Sequence, residues 1–187
     1  MKRFALTLLL ALSAIAASAQ TLVVYYSRPG NNYTPDGIVN LKVGNTQVVA
    51  EQIQKFTKAD IFRIETVKEY AADYHECTQE AKAELNAKAH PALKADIDIS
   101  KYDTIYLGWP CWWGTMPMCV FSFLEAHDWT GKTIIPFTTH EGRGFGSSLR
   151  DLTATAKGVT IAKGLSIQGS KVSSAGKQIE TFVTGGK

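Results

Sequence analysis

Strand-length apolar runs alternate with helix-period segments five times along this chain, and that alternation leaves few folds open to it. The runs are TLVVYYS (21–27), DIFRIE (60–65), YDTIYLGW (102–109), KTIIPF (132–137) and VTIAKGLSI (159–167), rich in β-branched and aromatic residues. Between them, 46–56 places Val49, Ile53 and Phe56 on one helical face. Residues 73–89 read as a mostly exposed helix of Ala, Glu and Lys, 118–126 as a short apolar helix, and a helix opening near Ser147 turns Leu149 and Leu152 inward. A last helix spans 174–183. Such a chain predicts a doubly wound α/β fold, a five-stranded parallel sheet between two helical layers. Ligands of such sheets sit beyond the carboxyl ends of the strands where the winding reverses, which directs attention to the loops after strands one, three and four.

The first residues follow a different rule. Lys2 and Arg3 precede an apolar run over 4–17, and Ala17-Ser18-Ala19 ends it with small side chains. This is the pattern of a secretory signal cleaved after Ala19, and the run is shorter than the roughly 20 residues a membrane-spanning helix needs. The reading is therefore a signal peptide over 1–19, one domain over 20–187, and an exported protein, periplasmic or otherwise extracytoplasmic. Loss of Lys2 and Arg3 lowers the formal charge from +3 to +1, with the remaining charges interspersed, so no nucleic-acid surface is indicated. The odd cysteine count, at 77, 111 and 119, argues against a disulfide framework.

The loop after strand one contains Gly-Asn twice, at Gly30-Asn31 and Gly44-Asn45. A helix N-terminus offers unpaired backbone N–H groups and the positive end of a dipole, so it holds phosphate without Lys or Arg. Only the second pair runs directly into a helix, whereas YTPDG after the first is turn chemistry. The loop thus reads as a split site: Ser27 and Arg28 at the strand end, an inserted excursion over 29–43 with Tyr33 at its tip, and Asn45-Thr46 opening the helix. Simple capping of a structural helix is the alternative.

After strand three, GWPCWWGTMP (108–117) concentrates Trp109, Trp112 and Trp113, three of the four tryptophans, beside Pro110 and Gly114. Indoles in such a loop stack on a planar ligand or anchor a partner, with at least one of them serving as core. After strand four, TTHEGRGFGSS (138–148) supplies hydroxyls, glycines and His140, a candidate acid or base. The Gly-x-Gly-x-Gly at 142–146 has the wrong spacing and follows the wrong strand for a dinucleotide fingerprint, and GKT at 131–133 enters a strand where a P-loop would leave one. Neither metal-ligand spacing nor a nucleophile–base constellation is present.

Taken together, VVYYSR with GNT, YLGWPCWWGTMP and PFTTHEGRGFG resemble the strand, phosphate loop and two ring loops of the flavodoxin family, in particular its short-chain members with a Trp-Trp-Gly loop. The resemblance spans about 21–183. It implies a flavodoxin-like sheet binding FMN non-covalently. Ser27, Arg28, Asn45 and Thr46 would lie at the phosphate, Pro110, Cys111, Trp112, Trp113 and Gly114 around the ring and ribityl chain, and Thr139, His140, Glu141 and Gly142 along the ring edge. Two departures stand out: the phosphate loop of the family is contiguous, with a hydroxyl near the place of Pro29, and its members are cytosolic. The implied function is electron transfer to a redox partner protein. The alternatives are an FMN-dependent reductase of quinones or other aromatics, and a flavin-free binding module.

Overall fold

The computed structural model of the chain describes residues 20–185. The signal sequence read over 1–19 lies outside them. Strand β1 (Gln20–Tyr25) leads into a hairpin, β2 (Gly30–Thr34) and β3 (Gly37–Leu41), and then into α1 (Asn45–Thr57). There follow β4 (Asp60–Arg63), α2 (Tyr74–Ala87), β5 (Tyr102–Pro110), α3 (Met118–Glu125), β6 (Thr133–His140) and α4 (Ser148–Thr155). The chain continues through β7 (Thr160–Ile161), β8 (Leu165–Gln168), a 3₁₀ turn (Gly169–Ser174) and α5 (Gly176–Thr184).

The main sheet is parallel, ordered β4-β1-β5-β6, with β7 and β8 both pairing with β6 at the far edge. The chain runs outward from β1 to β4 and crosses back to β5. Winding therefore reverses between β1 and β5, and the loops leaving those strands diverge around a crevice. Alternate residues feed two separate cores, as the two-residue period of a strand requires. Leu22, Val24, Ile105 and Leu107 pack with Phe123, Leu124 and Leu152 on one face. Val23, Tyr25, Tyr106 and Phe137 pack with Val49, Ile53 and Ile179 on the other. At Gly108 a Cβ would stand 2.0 Å from the Phe137 ring, so β5 can pass this side chain only as glycine.

Three details depart from the pattern read in the sequence. The run 159–167 is not one strand: between β7 and β8 the register against β6 slips by one residue, from Ile134↔Ile161 to Phe137↔Leu165. The slip falls at Pro136, which has no N–H to donate, and at Gly164, whose Cβ would lie 2.7 Å from the Pro136 carbonyl oxygen. Phe56, expected on the inner face of α1, is 37% exposed; the buried face is Thr46, Val49, Ala50 and Ile53. The excursion 29–43 is the β2–β3 hairpin, paired from Gly30↔Leu41 to Thr34↔Gly37.

Candidate functional site

The hairpin leaves and rejoins the fold at one point. Gly44 packs against the strand end so closely that a Cβ would stand 2.3 Å from Ser27 Oγ and 2.6 Å from the Arg28 carbonyl oxygen. Ser27 is buried, and its Oγ accepts the Gln47 N–H of the first turn of α1 at 3.0 Å. Helix α1 has no side-chain cap and no acidic residue in its first turn. With the Gln47 N–H on Ser27 and the Val48 N–H on Gly44 O, the Asn45 and Thr46 N–H groups have no protein acceptor among the described residues. Thr46 is buried, its Oγ1 2.7 Å from Thr139 Oγ1 at the end of β6. Asn45 lies against Gly169, where a Cβ would come within 2.5 Å of its Nδ2.

Arg28 takes a different position. Its guanidinium donates to the carbonyls of Asn31, Ala71 (2.6 Å), Ala72 (2.7 Å) and Asp73 (3.3 Å). It thereby fastens the hairpin to the segment that opens α2, while still lining the crevice. Asp73 caps α2 by accepting the Glu76 N–H, and Tyr33 stacks on Tyr74 with centroids 6.3 Å apart.

The loop after β5 begins where Cys111 N–H donates to Thr139 O at 2.8 Å, continuing the strand past Pro110. Trp112 and Thr115 exchange two backbone hydrogen bonds of 3.0 Å, and Trp113 (φ 52°) and Gly114 (φ 84°) between them are both left-handed. That is a two-residue turn of the primed type, unusual in carrying a tryptophan at positive φ. The Trp113 indole is 54% exposed; its Nε1–H donates to Thr78 O at 3.0 Å, and Lys82 Nζ lies 4.8 Å above the ring. Trp112 turns inward, edge-on to Tyr26 (5.5 Å) and Tyr70 (5.0 Å). Trp109 is wholly buried in the core.

The loop after β6 folds back on itself. Gly142, at φ 122°, donates its N–H to His140 Nδ1 at 2.9 Å. Glu141 lines both cavities and reaches toward Gly169, accepting from Ser170 N–H (2.7 Å), Ser170 Oγ–H (3.1 Å) and Gln168 Nε2–H (3.1 Å). Burial lowers the His140 pKa, against an upward pull from Glu141.

These loops border two neighbouring cavities that share Arg28, Trp112 and His140 in their walls. The larger, about 460 Å³, runs between α2 (Tyr74, Cys77, Thr78, Ala81) and the pair Trp112–Trp113, with His140 and Arg143 along its edge. The smaller, about 140 Å³, reaches Asn45, Thr46, Pro110, Thr139 and Gly169 at the helix end. Of the residues read from the sequence as site candidates, all but Ser27 and Gly142 line one or other cavity; Gly142 lies in the turn beside His140, whereas Ser27 is buried against the first turn of α1 and lines a separate cavity of about 280 Å³. Sequence reasoning missed the α2 wall. The clue was narrow: Cys77 and Ala81, one helical turn apart, are the two buried positions of an otherwise polar helix. Burial raises the Cys77 thiol to about 11 and also raises Cys111; all three cysteines are free. Among the described residues no cluster of three or more metal-ligating side chains occurs, and no helix is long and apolar enough to cross a membrane.

A family profile described as flavodoxin matches residues 40–183. The chain belongs to the flavodoxin family. Among solved structures, a Bacteroides uniformis flavoprotein is 26% identical with a TM-score of 0.71, over 89% of this chain and 98% of that one. A Bacteroides eggerthii flavoprotein is 24% identical (TM-score 0.66; 87% and 98% covered). A Lactobacillus acidophilus flavoprotein solved in complex with FMN is 20% identical (TM-score 0.63; 84% and 98% covered). No curated protein matches the sequence.

Proposed function

We propose that this flavodoxin binds FMN and carries electrons to a partner protein. One observation carries the reading: the uncapped N-terminus of α1 opens, with two free N–H groups and no acidic residue in its first turn, into the narrow end of a cleft whose wide end is bounded by indoles. A phosphate suits the first end and a flat tricyclic ring the second. The cofactor, when bound, supplies the one- and two-electron redox chemistry.

The chain's own residues do the rest. The Asn45 and Thr46 N–H groups and the Thr46–Thr139 hydroxyl pair would hold the phosphate without a direct basic ligand, since Arg28 is committed to the hairpin. Trp112, braced by Tyr26 and Tyr70, would exclude water from one side of the ring. Trp113, linked to α2 through Thr78, would close the other part of the cleft. Such apolar walls disfavour extra negative charge on the ring and so set its potential.

The test is titration of the purified chain with FMN and with riboflavin, followed by absorbance and flavin fluorescence, for wild type and Asn45→Asp. The substitution keeps the side chain's shape and puts a carboxylate beside the phosphate. FMN affinity should drop at least tenfold while riboflavin affinity changes little. Equal losses for both ligands would remove the phosphate from the α1 terminus, and no uptake of either would leave the binding-module reading.

A second reading draws on the hairpin. Because Arg28 holds it against the start of α2, it borders the cleft and leaves the wide end open to solvent. That opening would admit a planar quinone or other aromatic to a reductase of the same fold. Steady-state turnover of a quinone by the reduced, FMN-loaded protein separates the two readings.

Export belongs to the same proposal and rests on residues 1–19 alone. The matching measurement is the N-terminal sequence of the protein recovered from an extracytoplasmic fraction, which should begin at Gln20; full-length chain retained in the cytosol would refute it.

A further inference from the structure

His140 occupies the strip of wall shared by both cavities, at the end of β6 and next to Thr139, which touches the α1 terminus. Its Nδ1 accepts the Gly142 N–H, so the neutral ring carries its proton on Nε2, away from its own loop. The surrounding elements contribute the other titratable and charged groups of the cleft. From α2 come Tyr74 and Cys77, both held protonated by burial, Cys77 to about 11. From the β5 loop comes Cys111, also raised by burial, and the hairpin contributes the Tyr33 phenol. Arg28 and Arg143 are permanently cationic. Glu141 spends its carboxylate on Ser170 and Gln168. Among the described groups lining these two cavities, His140 is the only imidazole.

We propose that His140 takes up a proton when the bound flavin is reduced, coupling the cofactor's potential to pH through the 140–142 turn. This rests on the FMN reading above. Two electrons from an external donor and one proton convert the neutral oxidised ring to a monoanion. A second proton, from solvent, goes to His140 Nδ1, and the imidazolium offsets the new negative charge. Nδ1 cannot hold that proton and accept the Gly142 N–H at once, so the Gly142 amide must leave it. At φ 122° Gly142 has the backbone freedom to do so. Proton uptake is thus tied to a change in the turn, with His140 acting as a positioning group whose charge follows the ring.

Midpoint potentials of FMN-loaded wild type and His140→Gln, taken from pH 5.5 to 8.5 with dithionite as reductant, test this. Each proton taken up with two electrons shifts the reduction equilibrium tenfold per pH unit, about 30 mV. Wild type should show a segment with twice the one-proton slope, and His140→Gln the one-proton slope throughout. In parallel, NMR of the wild type should show the His140 ring and the Gly142 amide titrating together, at higher pH in the reduced protein than in the oxidised one. A steep segment surviving in His140→Gln, or a Gly142 amide indifferent to the His140 titration, overturns the inference. Normal FMN uptake with those results leaves the proposed function standing; absent FMN uptake by wild type sinks both.

Discussion

Arg28→Met would uncouple the inserted hairpin from the rest of the fold. The methionine keeps much of the aliphatic stem and removes the fork that donates to four carbonyls. The bonds to Asp73 and Ala72 are exposed, and water can replace them; those to Asn31 and Ala71 are partly buried. Hydrogen bonds to a charged donor contribute on the order of 1.5–3 kcal/mol each in favourable cases. After allowance for solvent access, about 2–3 kcal/mol of hairpin docking should be lost. That corresponds to roughly 30- to 150-fold faster exchange of the β2–β3 amides. Neither hydrophobic cluster contains a hairpin residue, so amides of β1 and β5 should keep their protection. Native-state hydrogen exchange followed by NMR reads both regions in one experiment. Unchanged hairpin exchange would show that the Tyr33–Tyr74 stack, and not the guanidinium, holds the insertion; parallel loss in β1 and β5 would show that the hairpin is integral to the core.

Gly108→Ala should destabilise the fold by about 1–3 kcal/mol in urea unfolding, because the methyl group enters the buried Phe137 ring. Asp151 accepts from Thr115 and Ser147 and so ties the tryptophan turn to α4; these bonds and Arg150 lower its pKa, although burial opposes them. Its stabilisation is complete above the unfolded-state value and fades as pH falls through the lower folded-state value, so the stability gap between wild type and Asp151→Asn should be wide at pH 7 and narrow near pH 2.5. A thiol reagent at pH 8 should modify Cys111 well before Cys77 or Cys119, the latter two being buried with raised pKa values, as peptide mass mapping would reveal.

The sheet was legible because Val, Ile, Leu and Tyr recur in runs bounded by polar and glycine-rich loops, and their alternation maps directly onto the two cores. The split phosphate loop was legible for a similarly local reason, since only Gly44-Asn45 is followed by a helical period. What escaped depends on distant partners. GNNYT and GIVNL carry half-polar patterns and no core face; their pairing is local, but their docking depends on Arg28 reaching carbonyls more than forty positions along the chain. The break at Gly164 depends on Pro136, and the role of α2 as a cleft wall depends on where Trp113 points. Phe56 obeyed the helical period but sits in the last turn of α1, past the buried residues Val49, Ala50 and Ile53 that face the sheet.

The contact between Gly44 and the Ser27–Arg28 peptide has an engineering consequence. Both feet of the hairpin stand side by side, so deleting 29–43 would leave chain ends already within joining distance and restore an uninterrupted loop. Equally, a longer or wholly foreign segment could be seated on the same two feet without displacing the strand or the helix it connects. The insertion behaves as a socketed part: the docking rim of the cleft can be exchanged while the floor beneath it stays as built.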